Sequence, residues 1–523
     1  MAYCGIIYKT ELTKEGKMFA KTLGETTVGI DGALITVEVD INNGLPKFDV
    51  VGLPTTAVKE ARERVKSAIT NSGFVFPMGN NVINLAPADL KKDGSSLDLP
   101  MAIGVLVANN QGIGQAEVDD KIFVGELSLD GGIRKVSGVL PMVMEAQRLG
   151  YKEIFIPAEN EAEGKLIPGI DVYAVKNLSQ LVNHLQGVSP LIPLPKKNIL
   201  SNMERAYSVD FADVKGQPVA RRAMEIAAAG GHSILMVGSP GCGKTMLARR
   251  LVTIMPPMTE AEALEVTKIY SVSGKLGSGG IMLERPFRSP HHSTSANALL
   301  GGGTVPKPGE VTLSHNGVLF LDEFPEFERN TLEMLRQPLE DGEVSISRVK
   351  AQMCFPSKFL LVAAQNPCPC GYLGDPLRQC TCKPKDIEGY RRKISGPLLD
   401  RIDIQINLTR VGFDELQTKA AGESSSVVRQ RVIAARNLQL DRLEGTGIYC
   451  NAQMTRKEVE KFCALDEAAQ KVLEKYFSAL HLSARSHDRV LKVARTIADL
   501  DNSGQIQPKH IAEAIQLRTS VNA

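Results

Sequence analysis

The chain has 523 residues and a formal net charge of +2. That length predicts about three domains, and the near-neutral balance leaves any nucleic-acid partner to a local basic surface. No apolar run approaches the ~18 residues a membrane helix needs, and Met1 to Lys17 lack the apolar stretch of a secretory leader. Nine cysteines, four of them between 368 and 382, point to metal ligation in a reducing compartment, so the expected location is cytoplasmic.

Residues 1–17 are weakly patterned, and the first ordered domain is expected over 18–187. Within it Val28 to Asp40 alternates as a strand or hairpin. Thr56 to Ser72 has helical spacing through Val58, Ala61, Val65 and Ile69, with Gly73 as a stop. Leu99 to Asn109 and Val139 to Leu149 read as helices, and Glu153 to Ile156 as a buried strand. Pro190, Pro193 and Pro195, followed by Lys196-Lys197, mark 188–207 as a linker. From 208 to 412 strands ending in loops alternate with helices, the pattern of a parallel α/β sheet. Residues 413–523 read as helical, with helices at Val427 to Leu443, Arg456 to Phe462, Glu467 to Ser478, Ser486 to Leu500 and Pro508 to Leu517. Glu423 to Ser426 is polar and expected to be mobile.

Directly after the apolar run Ile234 to Val237 comes Gly238-Ser239-Pro240-Gly241-Cys242-Gly243-Lys244-Thr245, a Walker A pattern between a strand and a helix. Its backbone N–H groups are suited to phosphate oxygens, Lys244 to the β and γ phosphates, and Thr245 to Mg²⁺; Cys242 is only a small side chain there. Val318 to Leu321, then Asp322 and Glu323, form a Walker B. Asp322 is expected to hold Mg²⁺ through water, and Glu323 to orient and deprotonate the attacking water. The two motifs together predict ATP binding. The next strand, Phe359 to Ala364, leads to Asn366, placed to reach the γ-phosphate and the water. Arg401, between Asp400 and Asp403, reads on residue chemistry alone as a surface ion pair. Ser483 or Ser486 could cap a helix whose Arg485 folds back onto the γ-phosphate, with Arg489 as the second candidate.

Cys368-Pro-Cys370 and Cys380-Thr-Cys382 present two close thiolate pairs, which suit tetrahedral structural Zn²⁺. Such a site would stiffen the segment between Asn366 and Arg401. Val344 to Gln352 alternates as a hairpin with Arg348 and Lys350 at its tip, where each could meet a DNA phosphate; an ordinary cation-guarded edge is the other reading. Arg288, His291 and His292 lie between the Walker motifs. Without a nearby carboxylate the histidines read as a substrate- or interface-facing loop rather than a metal site. Arg391-Arg392-Lys393 reads as a solvated helix face.

The order Walker A, Walker B, Asn366, Arg401, Arg485 resembles an AAA+ ATPase. Asn84-Leu85-Ala86-Pro87-Ala88-Asp89-Leu90, Asp98-Leu99-Pro100, Arg288-Ser289-Pro290-His291-His292, Asn366-Pro367-Cys368-Pro369-Cys370-Gly371 and Gly396-Pro397-Leu398-Leu399-Asp400-Arg401-Ile402-Asp403 resemble the ComM (YifB) family, often described as magnesium chelatase-like. From Met18 onward the resemblance covers nearly the whole chain. It implies a P-loop AAA+ core at 208–412 with a C-terminal helical lid, and a homo-oligomeric, hexameric ring with ATP sites between subunits. It also implies branch-migration helicase activity on DNA in natural transformation and homologous recombination. By the same resemblance Arg401 is an arginine finger and Arg485 a second sensor. A chelatase subunit driving Mg²⁺ into a porphyrin, or a remodeller of protein complexes, would use the same ATPase module.

Val124-Gly125-Glu126-Leu127-Ser128-Leu129-Asp130-Gly131 and Ala146 to Pro157 resemble the peptidase domain of Lon, a fold shared with ribosomal S5-type domains. The resemblance implies an α+β domain before the motor. Lon-type peptidases activate a serine with a lysine. Ser96 falls on the serine position but Leu140 on the lysine position, and an aliphatic side chain accepts no proton. The domain is therefore expected to be non-proteolytic, with Ser96 a turn or cap residue.

Changing Arg348 and Lys350 together to alanine is expected to weaken DNA binding alike across sequences and to flatten its salt dependence, since each phosphate contact adds about 0.7–0.9 to the slope of log affinity against log salt. Titrations at several salt concentrations check this; an unchanged slope moves the contact to the Arg288–His292 loop.

Overall fold

The computed structural model describes residues 18–92, 94–196, 207–303, 306–348, 351–412, 422–480 and 484–519. The chain forms two compact units. The first comprises the described residues of 1–202 with Thr267–Met282, the second those of 203–266 and 283–523. Among the described residues no helix is long and apolar enough to cross a membrane.

The first unit is built on a seven-stranded mixed sheet. Its strands are β1 (Met18–Val28), β2 (Asp31–Asn42), β3 (Lys47–Val51), β4 (Asn80–Ala86), β5 (Lys121–Phe123), β6 (Glu153–Pro157) and β7 (Asp171–Val175). They lie in the order β3-β4-β2-β1-β5-β6-β7. β1 and β2 form a long antiparallel hairpin closed at Val28↔Asp31, with Gly29 at φ 65° supplying the positive dihedral that a two-residue turn asks for. The alternation over Val28 to Asp40 thus marks β2, whereas β1 was not legible. Its residues Lys21, Thr22, Glu25 and Thr26 break the apolar pattern, and three of them are nevertheless buried.

Helix Asp98–Ala108 is buried along its whole length and packs on β1 and β2. It lies this close because a Cβ on Gly104 would come within 2.7 Å of Val39 Cγ2. The predicted helices appear at Thr56–Asn71 and Val139–Arg148. Ser96 sits in the turn before Asp98 and donates to the Glu25 carbonyl at 2.9 Å. Leu140 is fully buried. The proline-rich stretch is held against this unit, Leu191 N donating to His184 Nδ1 and Leu194 N to the Val172 carbonyl. Thr267–Met282 is fastened within the same unit by the Lys268–Asp31 ion pair and by Ser271, whose hydroxyl donates to Glu163.

The second unit holds a five-stranded parallel sheet: β8 (Ile234–Gly238), β9 (Phe287–Arg288), β10 (Val318–Leu321), then, after the hairpin β11 (Glu343–Arg348) and β12 (Ala351–Pro356), β13 (Leu360–Gln365) and β14 (Ile404–Leu408). The order is β9-β10-β13-β8-β14, with every pairing parallel. The strands are almost wholly buried runs, as a sheet covered on both faces requires. The C-terminal helices are Ser425–Arg442, Arg456–Phe462, Glu467–Leu480, Ala484–Leu500 and Pro508–Thr519. Two expectations need correcting. Ser425, assigned to a mobile stretch, is buried, accepts from Phe211 N at 2.7 Å and shares a hydrogen bond with Thr253 Oγ1. Ser486 lies inside its helix rather than ahead of its first residue and accepts from Arg518 Nη2 at 3.1 Å, while Ser483 lies outside the described residues.

Glu25 is a buried carboxyl whose two oxygens have no hydrogen-bond partner among the described residues. Burial pushes it up to about 9, and the nearby Glu145 adds to the shift. The folded state therefore keeps a proton that the unfolded chain releases near pH 4.3. Stability from this group is full below that pH and is lost as pH rises toward 9. Relative to the wild type, Glu25→Gln is expected to gain about 4 kcal/mol between pH 5 and pH 8, three pH units at about 1.4 kcal/mol each. Denaturant unfolding at both values checks this; an equal effect at both would contradict the assignment.

Candidate nucleotide site

β8, β10 and β13 are neighbours in the sheet and all end at its C-terminal edge, where open parallel sheets place their ligands. β8 runs into the phosphate loop, in which Gly241 at φ 80° and Gly243 at φ 95° take left-handed conformations that turn backbone N–H groups toward one point. Helix Lys244–Ile254 starts there and adds its N-terminal N–H groups. Lys244 Nζ donates to the carbonyls of Gly238 at 2.6 Å and Ser239 at 3.2 Å, and to Asn366 Oδ1 at 3.1 Å. Burial pushes its ammonium below the ordinary lysine range, opposed by Cys242, Asp322 and Glu323. A phosphate here would restore the charge that desolvation disfavours. Cys242 is buried in the core of the unit.

Thr245 Oγ1 donates to Asp322 Oδ2 at 2.8 Å, so the hydroxyl and carboxylate suited to Mg²⁺ already face one another. Glu323 N donates to Asp322 Oδ1 at 2.9 Å. Glu323 itself takes a left-handed backbone, φ 51° and ψ 45°, a strained conformation for a side chain with a Cβ. Its carboxylate meets His292, whose Nδ1 lies 3.0 Å from Glu323 Oε2. The expectation that the histidine loop lacks a carboxylate is thus corrected. Arg288 is not free for a substrate either; it pairs with Glu310 at 2.6 and 2.8 Å.

Asn366 leads into the four cysteines. Their sulfurs lie within 4.8 Å of one another, with Cys368–Cys370 at 3.4 Å and Cys380 at 3.6 Å from each. A tetrahedral zinc with Zn–S bonds of about 2.3 Å places its sulfurs about 3.8 Å apart, so the set fits that ion. Backbone N–H groups of Thr381 and Tyr372 hold the Cys370 thiol down to about 5, whereas burial and the neighbouring sulfurs push Cys380 and Cys382 up, so the four thiols share their protons unequally. The loop between the pairs rests on the phosphate loop. A Cβ on Gly371, at φ 85°, would meet Pro240 Cδ at 2.8 Å. Asp375 pairs with Arg410 at 3.1 Å, and Arg410 reaches the Pro240 carbonyl at 3.4 Å. Sequence reasoning missed Asp375 and Arg410, which no motif marks.

Arg401 is buried and bonded to the Pro397 carbonyl and to Glu340. It is therefore no surface pair with Asp400 or Asp403. Arg485 is exposed in the first turn of Ala484–Leu500. The Arg401 bond holds the Glu340 carboxyl below its ordinary range, and the charge of Arg485 adds to this. Arg489 pairs with Asp403 and donates to the Arg401 carbonyl at 2.7 Å. Glu340 ends the short helix Arg336–Asp341 that enters β11. The β11–β12 hairpin is antiparallel, closing at Arg348↔Ala351; Lys350 and the side chain of Arg348 lie outside the described residues. In the basic run, Arg392 pairs with Glu388 and Lys393 with Glu326, as a solvated face would.

Residues 37–160, 210–416 and 422–518 match the families described as Subunit ChlI of Mg-chelatase, Magnesium chelatase, subunit ChlI, and Magnesium chelatase, subunit ChlI C-terminal. The chain is 44% identical over 499 residues to the competence protein ComM of Haemophilus influenzae, covering 95% of this chain and 96% of that protein. It is likewise 44% identical over 492 residues to the YifB protein of Escherichia coli K12, covering 94% and 95%. A shorter similarity, 26% over 172 residues, relates 29% of the chain to 30% of Lon protease 2 from Bacillus subtilis.

Metal analysis of protein purified without chelator is expected to find one zinc per chain. Changing Cys380 and Cys382 to serine is expected to remove it and, because Gly371 and Asp375 support the phosphate loop, to weaken ATP binding several-fold by calorimetry. Metal-free wild-type protein with unimpaired ATP binding would count against both statements.

Proposed function

The chain belongs to the ComM/YifB family of magnesium chelatase-like AAA+ proteins, and on that footing we propose that it is an ATPase whose turnover drives branch migration of DNA. In this reading it works as a cytoplasmic homo-oligomeric ring, hexameric in form, during natural transformation and homologous recombination. The observation that carries the ATPase is the convergence of Lys244, Thr245, Asp322 and Asn366 at one sheet edge. Support for DNA as the substrate comes from the name of the Haemophilus relative, a competence protein, and from the Arg348 and Lys350 that the sequence sets at the turn between β11 and β12.

The phosphate loop and Lys244 grip the β and γ phosphates. Thr245 and Asp322 would hold Mg²⁺, which when bound neutralises phosphate charge. Glu323 takes a proton from the attacking water, and Asn366, bonded to Lys244, orients that water against the γ-phosphate. Arg401 and Arg485 serve the γ-phosphate from a neighbouring subunit and from the lid, respectively. For Arg401 to act this way it must leave Glu340, so its release accompanies ring assembly. The four-cysteine loop holds structural zinc and braces the phosphate loop.

Lys244→Ala is expected to abolish nucleotide binding, whereas Glu323→Gln should keep ATP bound and slow hydrolysis by about 10²-fold or more. Forked or Holliday-junction DNA should raise the wild-type rate. Normal hydrolysis by Glu323→Gln would remove the base; a rate indifferent to DNA would leave the ATPase standing and remove DNA from the reading.

A further inference from the structure

Helix Pro384–Arg391 lies in the chain between the last cysteine and Arg401. Gly389 sits inside it, where glycine is among the least favourable residues. Two structural reasons for a glycine are missing. Its φ is not left-handed, and a Cβ built on it would meet no atom within 4 Å. What Gly389 lines is a cavity of about 430 Å³. The opposing residues come from the segment just past Glu323: Pro325 and Phe327, both buried, and the exposed Glu326 and Arg329. Arg392 and Lys393 complete the lining.

Three cations and one carboxylate therefore border one space, and the cations are loosely held. Arg392 pairs with Glu388 at 2.5 Å and Lys393 with Glu326 at 3.0 Å, with all four side chains well exposed. Such pairs are worth little and exchange readily for another anion. Arg329 forms no ion pair among the described residues. Residues 378–393 carry six lysines and arginines against two acids, the local basic surface that a nearly neutral chain needs to hold an anion. The dipole of the helix favours cations at its C-terminal end. It accounts neither for Arg329, which comes from another element, nor for the space that Gly389 leaves open.

We propose that this cavity binds the phosphodiester backbone of a DNA strand, at a place separate from the β11–β12 hairpin. This rests on reading DNA as the substrate. Arg329 and Arg392 bring guanidinium forks from two elements, a donor geometry that matches phosphate oxygens, and Lys393 adds a point charge. Pro325 and Phe327 give an apolar floor for the sugar. Gly389 lets the strand approach the helix backbone closely. A single carboxylate from a partner protein would leave one fork unanswered, whereas a strand presents phosphates in succession. No lining group reads a base, so the contact is indifferent to sequence.

The test uses full-length wild type, Gly389→Leu, Arg329→Ala with Arg392→Ala, and Arg329→Lys with Arg392→Lys. Each is titrated with a labelled single-stranded oligonucleotide at several salt concentrations, and ATP binding is measured by calorimetry as a control for folding. Leucine suits a helix and fills the cavity while every charge stays in place. Gly389→Leu is expected to weaken oligonucleotide binding several-fold with ATP binding unchanged. The double alanine variant should lower the slope of log affinity against log salt by about 1.4, two contacts at about 0.7 each. The double lysine variant should keep the wild-type slope. Full affinity in Gly389→Leu overturns the cavity site even where the alanines lower the slope, since the arginines then act as general surface charge; DNA remains the substrate. Binding of thymidine monophosphate that Gly389→Leu abolishes, with oligonucleotide binding intact, overturns the strand in favour of a free nucleotide. A wild type that does not bind the oligonucleotide overturns the DNA reading and this site with it.

Discussion

Asp403 is a carboxylate taken almost wholly out of water, and a charge in that position must be paired or it destabilises everything around it. Burial alone would raise it, but Arg489 and His232 reverse the effect and hold it far below the usual carboxylate range. Its partners come from two places: Arg489 from helix Ala484–Leu500 and His232 Nδ1, at 3.0 Å, from the entry to β8, where the neighbouring Ser233 carbonyl also accepts from the Asp403 N–H. The network continues. His232 Nε2 meets Thr496 at 2.8 Å, Asn451 bonds Thr496 and Asp499, and Asp499 pairs with Arg442 and Arg495. One buried charge thus ties the central strand, the segment bearing Arg401 and the lid helices together. Losing one partner of such a pair typically costs about 3–5 kcal/mol.

Around that fixed frame the site divides its work between elements of different stiffness. In the proposed reaction the grip on phosphate comes from the loop after the fully buried strand β8 and from Lys244 at the start of the helix that follows. Several charged or metal-ligating groups sit on inserts: His292 on the loop after β9, Glu340 at the foot of the hairpin, and the cysteines between β13 and β14. They reach inward at more than one point: His292 to Glu323, Glu340 to Arg401, and the cysteine loop to Pro240 and Arg410 through Gly371 and Asp375.

Elements with a clean period were legible in the sequence. Arg456–Phe462 was read to the residue, and Pro508–Thr519 missed only its last turn. The Walker motifs were legible because phosphate chemistry demands those residues at that spacing. β1 was not, since Thr22, Glu25 and Thr26 are buried polar residues that break the apolar alternation a strand is read from. The pairs His292–Glu323 and Glu340–Arg401 were invisible for a different reason: each depends on which strands become neighbours, and residue identity alone does not fix that. The strand order of P-loop sheets held a signal. Once the strand before Walker B is placed beside it, the residues just past that strand must fall near Glu323.

The chain crosses between its two units three times, after Asn202, after Val266 and after Met282. The second crossing falls inside helix Glu260–Val272. No single scission therefore separates one unit from the other. A fragment beginning near 208 would still contain Thr267–Met282 but would lack Asp31 and Glu163, the groups that Lys268 and Ser271 bind. It would also carry Ile269 and Tyr270, both buried in the intact chain, into water. An exchange of the second unit's stretch of chain between relatives would likewise carry this internal strip with it, so the strip would have to fit the Asp31 and Glu163 surroundings it meets there.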